Sequence, residues 1–171
     1  MISVYVHRDS VAMGDDVEAH VHRWEFDDDV RIGEILVRMI EGYLAHVAGP
    51  IAWTVSIGDE PVVMQHDDYR TVSSKSETQL AVVFVDRDEV SISQLHRRWG
   101  GRSLLSVAAR PNADGEYFIR ADYLSNGAAV PIGQYREWIA KTYEQLHAEN
   151  VAFRARAYPR LYDENGNRRR T

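Results

Sequence analysis

The sequence predicts an α+β protein in two parts, a mixed sheet packed on one helix and a smaller β-β-α-β unit. Short alternations of apolar and polar residues, typical of half-buried strands, recur along the chain, and two apolar stripes at helical spacing interrupt them. Clusters of Gly, Pro, Asn and Asp mark the turns. We expect a first domain over residues 1–86, a linker over 87–103, a second domain over 104–162 and a flexible tail over 163–171.

The composition is that of a folded protein with a core of its own. Of the 171 residues, 44% are hydrophobic and 27% are charged, which argues against disorder. The chain contains no cysteine, so disulfides, thiolate zinc sites and thiol nucleophiles are excluded. No stretch approaches the roughly 20 apolar residues that span a bilayer, and the first residues lack the pattern of a secretion signal. We therefore expect a cytoplasmic protein with no membrane partner.

The first elements form a hairpin followed by a helix. Ile2, Val4 and Val6 alternate with polar residues, and the alternation resumes from Val17 to Val21, which predicts two paired strands. The Asp run at 27–29 suits the start of a helix. The helix is predicted by an apolar stripe made of Ile32, Ile35, Leu36, Met39, Ile40, Tyr43, Leu44 and Val47.

Strands follow this helix. Gly49-Pro50 ends the helical pattern, and the alternation of Trp53, Val55 and Ile57 predicts a third strand. A short strand is expected at 62–64, then a polar stretch over 66–78. The continuous apolar run at 80–85 predicts a strand that is covered on both faces.

This order of hairpin, helix, short strands and central strand resembles the β-grasp or ubiquitin-like fold over about residues 1–86. The resemblance lies in element order and implies a mixed sheet of four or five strands that wraps one helix. The run from Arg97 to Gly101 is similar to the basic di-glycine tail of ubiquitin-like modifiers, but here it is internal. Fold alone does not assign a function.

The second half predicts strands around another helix. Leu105, Val107 and Ala109 alternate, the segment 111–115 is a turn signal, and apolar residues from Tyr117 to Tyr123 share one face. Pro131 begins a helical stripe that reaches Leu146. The alternation at 153–158 predicts a last strand.

The net charge of −6 conceals opposite charges in the two halves. Residues 1–95 carry 7 Lys/Arg against 18 Asp/Glu, whereas residues 96–171 carry 13 against 8. A basic half can indicate nucleic-acid binding. The interpretation we favour is that the two halves attract each other, within one molecule or between molecules.

A metal site is one hypothesis that the histidines raise. His20 and His22 lie two apart on a predicted strand, so their imidazoles would share a face, and His66 with Asp67 or Asp68 would complete a divalent-ion site. The competing interpretation is a polar strand face exposed to solvent.

Two groups of residues are candidates for partner binding. Arg97, Arg98, Trp99 and Arg102 combine arginine with an aromatic ring, and would grip phosphate, a base or a protein partner. Their competing role is to pair with the acidic first half. Trp138 lies off the main stripe of its predicted helix, as a binding anchor would.

Arginine also suggests an anion site in the second half. Arg154 and Arg156 share the polar face of the predicted last strand, and together with Arg120 they would bind an anion. A plain solvated surface is the alternative that we favour.

The function favoured by these patterns is a non-catalytic protein-interaction module without a cofactor. Nucleophile-elbow, phosphate-loop, dinucleotide and metalloprotease motifs are absent from the sequence. A toxin-neutralising immunity protein of bacteria, or a ubiquitin-like partner protein, fits this class. The alternatives are a metal-dependent hydrolase or nuclease that uses the histidines, and nucleic-acid binding through the basic half.

Overall fold

The computed structural model of the chain contains a seven-stranded mixed sheet. The structure describes residues 1–11, 20–45, 49–59, 62–66, 69–73, 76–86, 89–93, 96–107, 110–124, 129–165 and 167–169, and it describes only the backbone of 62–66, 69–73, 96, 97 and 143. The α+β class predicted from the sequence is confirmed.

Most of the described elements are strands, and helices follow β2, β7 and β9. The strands are β1 (Ile2–Arg8), β2 (Val21–Phe26), β3 (Ile51–Asp59), β4 (Val62–His66), β5 (Tyr69–Ser73), β6 (Ser76–Asp86), β7 (Glu89–Ser93), β8 (Glu116–Tyr123) and β9 (Ala129–Pro131). The helices are α1 (Ile32–Gly42), α2 (His96–Trp99), α3 (Leu104–Val107), α4 (Ile132–Ile139) and α5 (Tyr143–Ala157). The large sheet has the order β2-β1-β8-β3-β6-β7-β9, and β4 pairs with β5 in a separate ribbon.

The predicted pairing of the first two strands is confirmed in part. β1 and β2 are antiparallel, with Ile2 opposite Phe26 and Val6 opposite His22. The second strand lies further along the chain than expected, because most of the predicted segment falls in 12–19, outside the described residues. This register places Val4 directly opposite Trp24, so both side chains lie on the same face of the sheet.

Helix α1 covers that face. Ile32, Ile35, Leu36, Met39 and Ile40 are all buried, as the apolar stripe predicts. The helix ends at Gly42, earlier than the expected stop at Gly49-Pro50, and Val47 lies outside the described residues. The ring of Trp24 lies 5.4 Å from the ring of Tyr43, which follows the helix. Burying each of these aliphatic side chains contributes about 1.5–3 kcal/mol. The first half of the chain therefore has the helix-on-sheet core that its sequence predicts.

Strand β8 lies inside the large sheet, which changes the predicted domain division. It is parallel to β1 and antiparallel to β3, so a strand assigned to the second domain separates two strands of the first. The chain divides into compact units at residues 1–136 and 137–171 instead. Sequence spacing could not reveal this, because parallel pairing joins segments that are far apart along the chain.

Three predictions in the second half differ from the structure. Of the expected strand at 105–109, residues 105–107 belong to α3, and 108 and 109 lie outside the described residues. Of the expected last strand at 153–158, residues 153–157 belong to α5. The helix predicted from Pro131 to Leu146 is interrupted, because α4 ends at Ile139 and Thr142 caps the start of α5. Alanine and arginine favour a helix over a strand, and an alternation over only about five or six residues is too short to outweigh that preference.

The expected linker and polar stretch also contain structure. β7 and α2 fall within 87–103, and β5 falls within 66–78. The turn at 111–115 is confirmed, because the Asn112 side chain accepts hydrogen bonds from the backbone N–H groups of Asp114 at 3.0 Å and Glu116 at 2.9 Å. Gly115 takes a positive φ of 78° within that turn.

Candidate functional site

A short segment between α2 and α3 is joined to the beginning of α1. The backbone N–H groups of Ile32 and Gly33 donate to the carbonyls of Arg102 (3.0 Å) and Gly100 (2.9 Å). The N–H of Leu104 donates to the carbonyl of Val30 at 2.9 Å. The first N–H groups of a helix have no acceptor within the helix. Here the segment provides carbonyl acceptors for two of these N–H groups. Because these bonds fix its backbone, the segment is held rigidly against α1.

A cationic aromatic group, which we call the Arg–Trp–Arg stack, is formed by Arg98 and Trp99 at the end of α2 and by Arg102 in this segment. The guanidinium carbons of Arg98 and Arg102 lie 4.5 Å and 5.6 Å from the centre of the Trp99 ring. Both arginines are exposed, and Trp99 is half-buried. Cation–π contacts at such distances hold the guanidinium groups in place without neutralising their charge.

The stack keeps its positive charge within the described part of the chain. Neither Arg98 nor Arg102 forms an ion pair with a described carboxylate, and Arg102 donates instead to the carbonyl of Ser106 at 3.2 Å. The expectation that these arginines pair with the acidic half is therefore not met among these residues. The side chain of Arg97 lies outside the described atoms.

An acidic cavity of about 500 Å³ opens beside the same end of α1. Its lining contains Met1, Glu25, Phe26, Asp27, Asp29, Val30, Arg31 and Glu34. Glu34 accepts a hydrogen bond from the backbone N–H of Arg31 at 2.9 Å, which completes the start of the helix. We expected the Asp run at 27–29 to cap the helix. Arg31 is instead the residue that precedes the first helical turn, and its hydrogen bond with Glu34 forms the cap. Positive and negative groups thus meet around one helix end.

The structure describes two of the three predicted metal ligands, His20 and His22, with their side chains. His22 is exposed and packs edge to face on Tyr43, with 5.4 Å between ring centres. The hydroxyl of Tyr43 donates to the backbone carbonyl of His20 at 2.5 Å. The side chain of His66 lies outside the described atoms, and no cluster of three possible metal ligands occurs among the residues that were placed.

The three arginines of the predicted anion site belong to different compact units. Arg120 lies on β8 in the first unit, and Arg154 and Arg156 lie on α5 in the second. Two residues apart on a helix, Arg154 and Arg156 do not share a face, as they would on a strand. The Arg154 guanidinium lies 5.5 Å from the centre of the Tyr162 ring.

Trp138 lies on α4 within the second unit and is half-buried. Its backbone carbonyl accepts from the N–H of Lys141 at 3.2 Å, where α4 has ended. The neighbouring Tyr135 is buried, as its place on the predicted apolar stripe requires.

Sequence reasoning missed a polar network around Arg120. Its guanidinium lies 2.6 Å from Asp122, 3.9 Å from Asp9 and 3.9 Å from Glu77. The Asp9 carboxylate also accepts from the backbone N–H of Tyr123 at 3.2 Å. Three carboxylates therefore already neutralise Arg120, which leaves little capacity for an external anion. Alternation marked Arg120 as polar-facing, but nothing in the sequence indicated that Asp9, after β1, and Glu77, on β6, are its partners.

Burial shifts the protonation of two groups in this network. The pKa of His7 is lowered, mainly because partial burial disfavours the charged imidazolium and also because Arg120 repels it. The pKa of Glu77 is raised by partial burial, against the opposing effect of Arg120. The network is thus a set of coupled charges on the sheet face opposite α1.

Comparisons with known proteins give no relatives. No family model matches the chain, and neither curated proteins nor solved structures show a significant similarity. None of the helices that the structure describes has the length and apolar character that crossing a bilayer requires.

Proposed function

We propose that the protein is a non-catalytic protein-interaction module and that the Arg–Trp–Arg stack is its binding surface. The observation that carries this proposal is a pair of exposed arginines, Arg98 and Arg102, which lack described ion pairs and flank a half-buried tryptophan. Trp and Arg are enriched among the residues that dominate binding energy. The backbone bonds to α1 hold these side chains ready, which reduces the entropy that binding costs.

The chemistry of the stack favours a partner that presents carboxylates beside an apolar group. A guanidinium accepts a carboxylate through two parallel hydrogen bonds, and an indole ring offers a large apolar surface. A rim charge of this kind also accelerates association with an acidic partner. The occupant would therefore be an acidic protein surface.

The proposal extends to the fold family, the cellular location and the class of protein. A mixed sheet with a hairpin that is followed by a buried helix supports the β-grasp resemblance. A cysteine-free composition supports action in the cytoplasm, and a bacterial immunity protein or ubiquitin-like partner is the kind of protein we infer.

The test compares capture by wild-type and altered proteins. The immobilised chain is incubated with lysate of its source cells, and bound proteins are quantified by mass spectrometry. We expect Arg98→Ala/Arg102→Ala to lose most of the captured partner, and Trp99→Ala to lose it as well. Arg160→Ala, which removes an exposed arginine of the second unit, is the matched control and should retain it.

Nucleic acid is examined in a parallel arm of the same experiment. A labelled oligothymidylate is titrated with wild type and with the double arginine variant at low and high salt. Binding that needs the stack and falls steeply with salt, together with an unchanged set of captured proteins, would replace protein binding with nucleic-acid binding. Capture that is identical for all variants would refute the proposed surface.

A further inference from the structure

The beginning of α1 carries opposite charges within one surface, which we call the α1 patch. It consists of the Arg–Trp–Arg stack and of the acidic cavity that contains Asp27 and Asp29. The two parts are neighbours, because the stack segment bonds to Val30, Ile32 and Gly33 while Val30 and Arg31 line the cavity. A surface of this kind is complementary to itself.

Part of this surface is paired within the chain, since Glu25 lies 3.3 Å from Arg23, but two of its carboxylates form no described ion pair. Asp27 and Asp29 are exposed and form no described ion pair, whereas Asp28 lies 2.7 Å from the Met1 amino group. The arginines of the stack are held on the Trp99 ring instead. The stack arginines and the carboxylates of Asp27 and Asp29 thus lie around the same end of α1 with no described ion pair between them.

Apolar groups accompany the charges. Leu105, the second residue of α3, is 47% exposed, and Met1 in the cavity lining is 86% exposed. Phe26 adds a partly exposed ring to the same lining. A stable interface combines a buried apolar centre with a charged rim, and both components are present here.

We propose that the α1 patch binds a second copy of this chain about a twofold axis, so that each stack covers the acidic cavity of the other copy. In a twofold interface, residue i contacts residue j and residue j contacts residue i. Adjacent opposite charges therefore form two equivalent sets of ion pairs at once, and the exposed apolar side chains meet near the axis. This inference rests on the proposed function and names the partner of its binding surface.

The first measurement is the mass of the 171-residue chain by sedimentation velocity at increasing concentration. The expected result is a reversible doubling of mass that weakens at high salt, because the rim ion pairs are screened. Arg160→Glu, a charge reversal in the second unit, is the matched control and should leave the association unchanged.

Charge reversal then identifies the contact. Arg98→Glu/Arg102→Glu and Asp27→Arg/Asp29→Arg should each raise the dimer dissociation constant about tenfold or more, because like charges then face each other. An equal mixture of the two variants should form a heterodimer, since both reversed sets become complementary again. Circular dichroism of each variant verifies that the fold is retained.

The outcomes separate the dimer from the underlying function. Monomeric wild type at every concentration, or reversed variants that do not recover on mixing, would overturn the dimer. In either case, stack-dependent capture of a different acidic protein would leave the proposed function standing. If the wild-type chain neither self-associates nor captures a partner through the stack, both proposals are refuted.

Discussion

Arg120 illustrates how the environment of a single residue decides its role. Its residue type and its place on a strand suggested an anion site, yet Asp9, Glu77 and Asp122 surround its guanidinium. Asp9 follows β1 and Glu77 lies on β6, so long-range pairing brings these groups together. Ion pairs at this degree of exposure each contribute little stability, about 1 kcal/mol or less. The network chiefly fixes charge positions on the sheet.

His7 makes stability depend on pH. Its pKa in the folded protein lies below the ordinary value of 6.5, so the unfolded chain binds a proton more readily. The stability that neutral His7 contributes is fully present above pH 6.5 and is lost as the pH falls through the pKa of His7 in the folded protein. Urea denaturation from about pH 8 to about pH 5 should therefore show declining stability, and His7→Gln should reduce the slope. Equal slopes in both proteins would contradict the assignment.

Two glycines give opposite predictions for the same substitution. Gly115 has a φ of +78°, where alanine costs about 1–2 kcal/mol, so Gly115→Ala should lower the free energy of unfolding by that amount. Gly133 lies in α4 with no atom near an added methyl group, so Gly133→Ala should leave stability unchanged or raise it. Thermal denaturation of both variants measures the difference, and equal destabilisation would refute the role of the turn.

Among the elements, the sequence predicted best those that carry a long and regular pattern. Helix α1 is confirmed because its stripe of buried residues extends over several turns. The run at 80–85 is likewise confirmed as part of β6. The strands predicted at 105–109 and 153–158 were wrong, because a short alternation does not distinguish a strand from a helix when no partner strand is known. Of the candidate site, the stack was visible in the sequence, but its attachment to α1 was not.

Helix α5 should depend strongly on its cap. Thr142 accepts a hydrogen bond from the N–H of Gln145, whose side chain accepts from the N–H of Thr142 at 2.8 Å. None of its described side chains is buried, so tertiary packing does not compensate for a lost cap. Thr142→Ala should cost about 1 kcal/mol of helix stability, and far-ultraviolet circular dichroism should report less helix. Thr142→Ser keeps the hydroxyl and should retain the signal.

For the whole molecule, the first compact unit requires a strand from beyond the predicted boundary. β8 separates β1 from β3, and the unit extends to Arg136. Residues 1–86 contain the helix and several strands but lack this central strand. The minimal folded unit is therefore longer than the β-grasp resemblance implied.

Two fragments test this size. Residues 1–139, which end with α4, should unfold cooperatively in urea and give a dispersed amide spectrum. Residues 1–86 should do neither, because β1 and β3 would each lack a neighbour. A cooperatively folded 1–86 fragment would show that β8 is dispensable.

The late position of β8 also has a consequence for biosynthesis. While the ribosome is still making residues 87–115, β1 and β3 have been synthesised but their shared neighbour has not. Two strands rich in buried valine, isoleucine and tryptophan then have unsatisfied hydrogen-bonding edges. The nascent chain is consequently open to intermolecular strand pairing until Tyr123 has emerged, and chaperone demand should be highest during that interval.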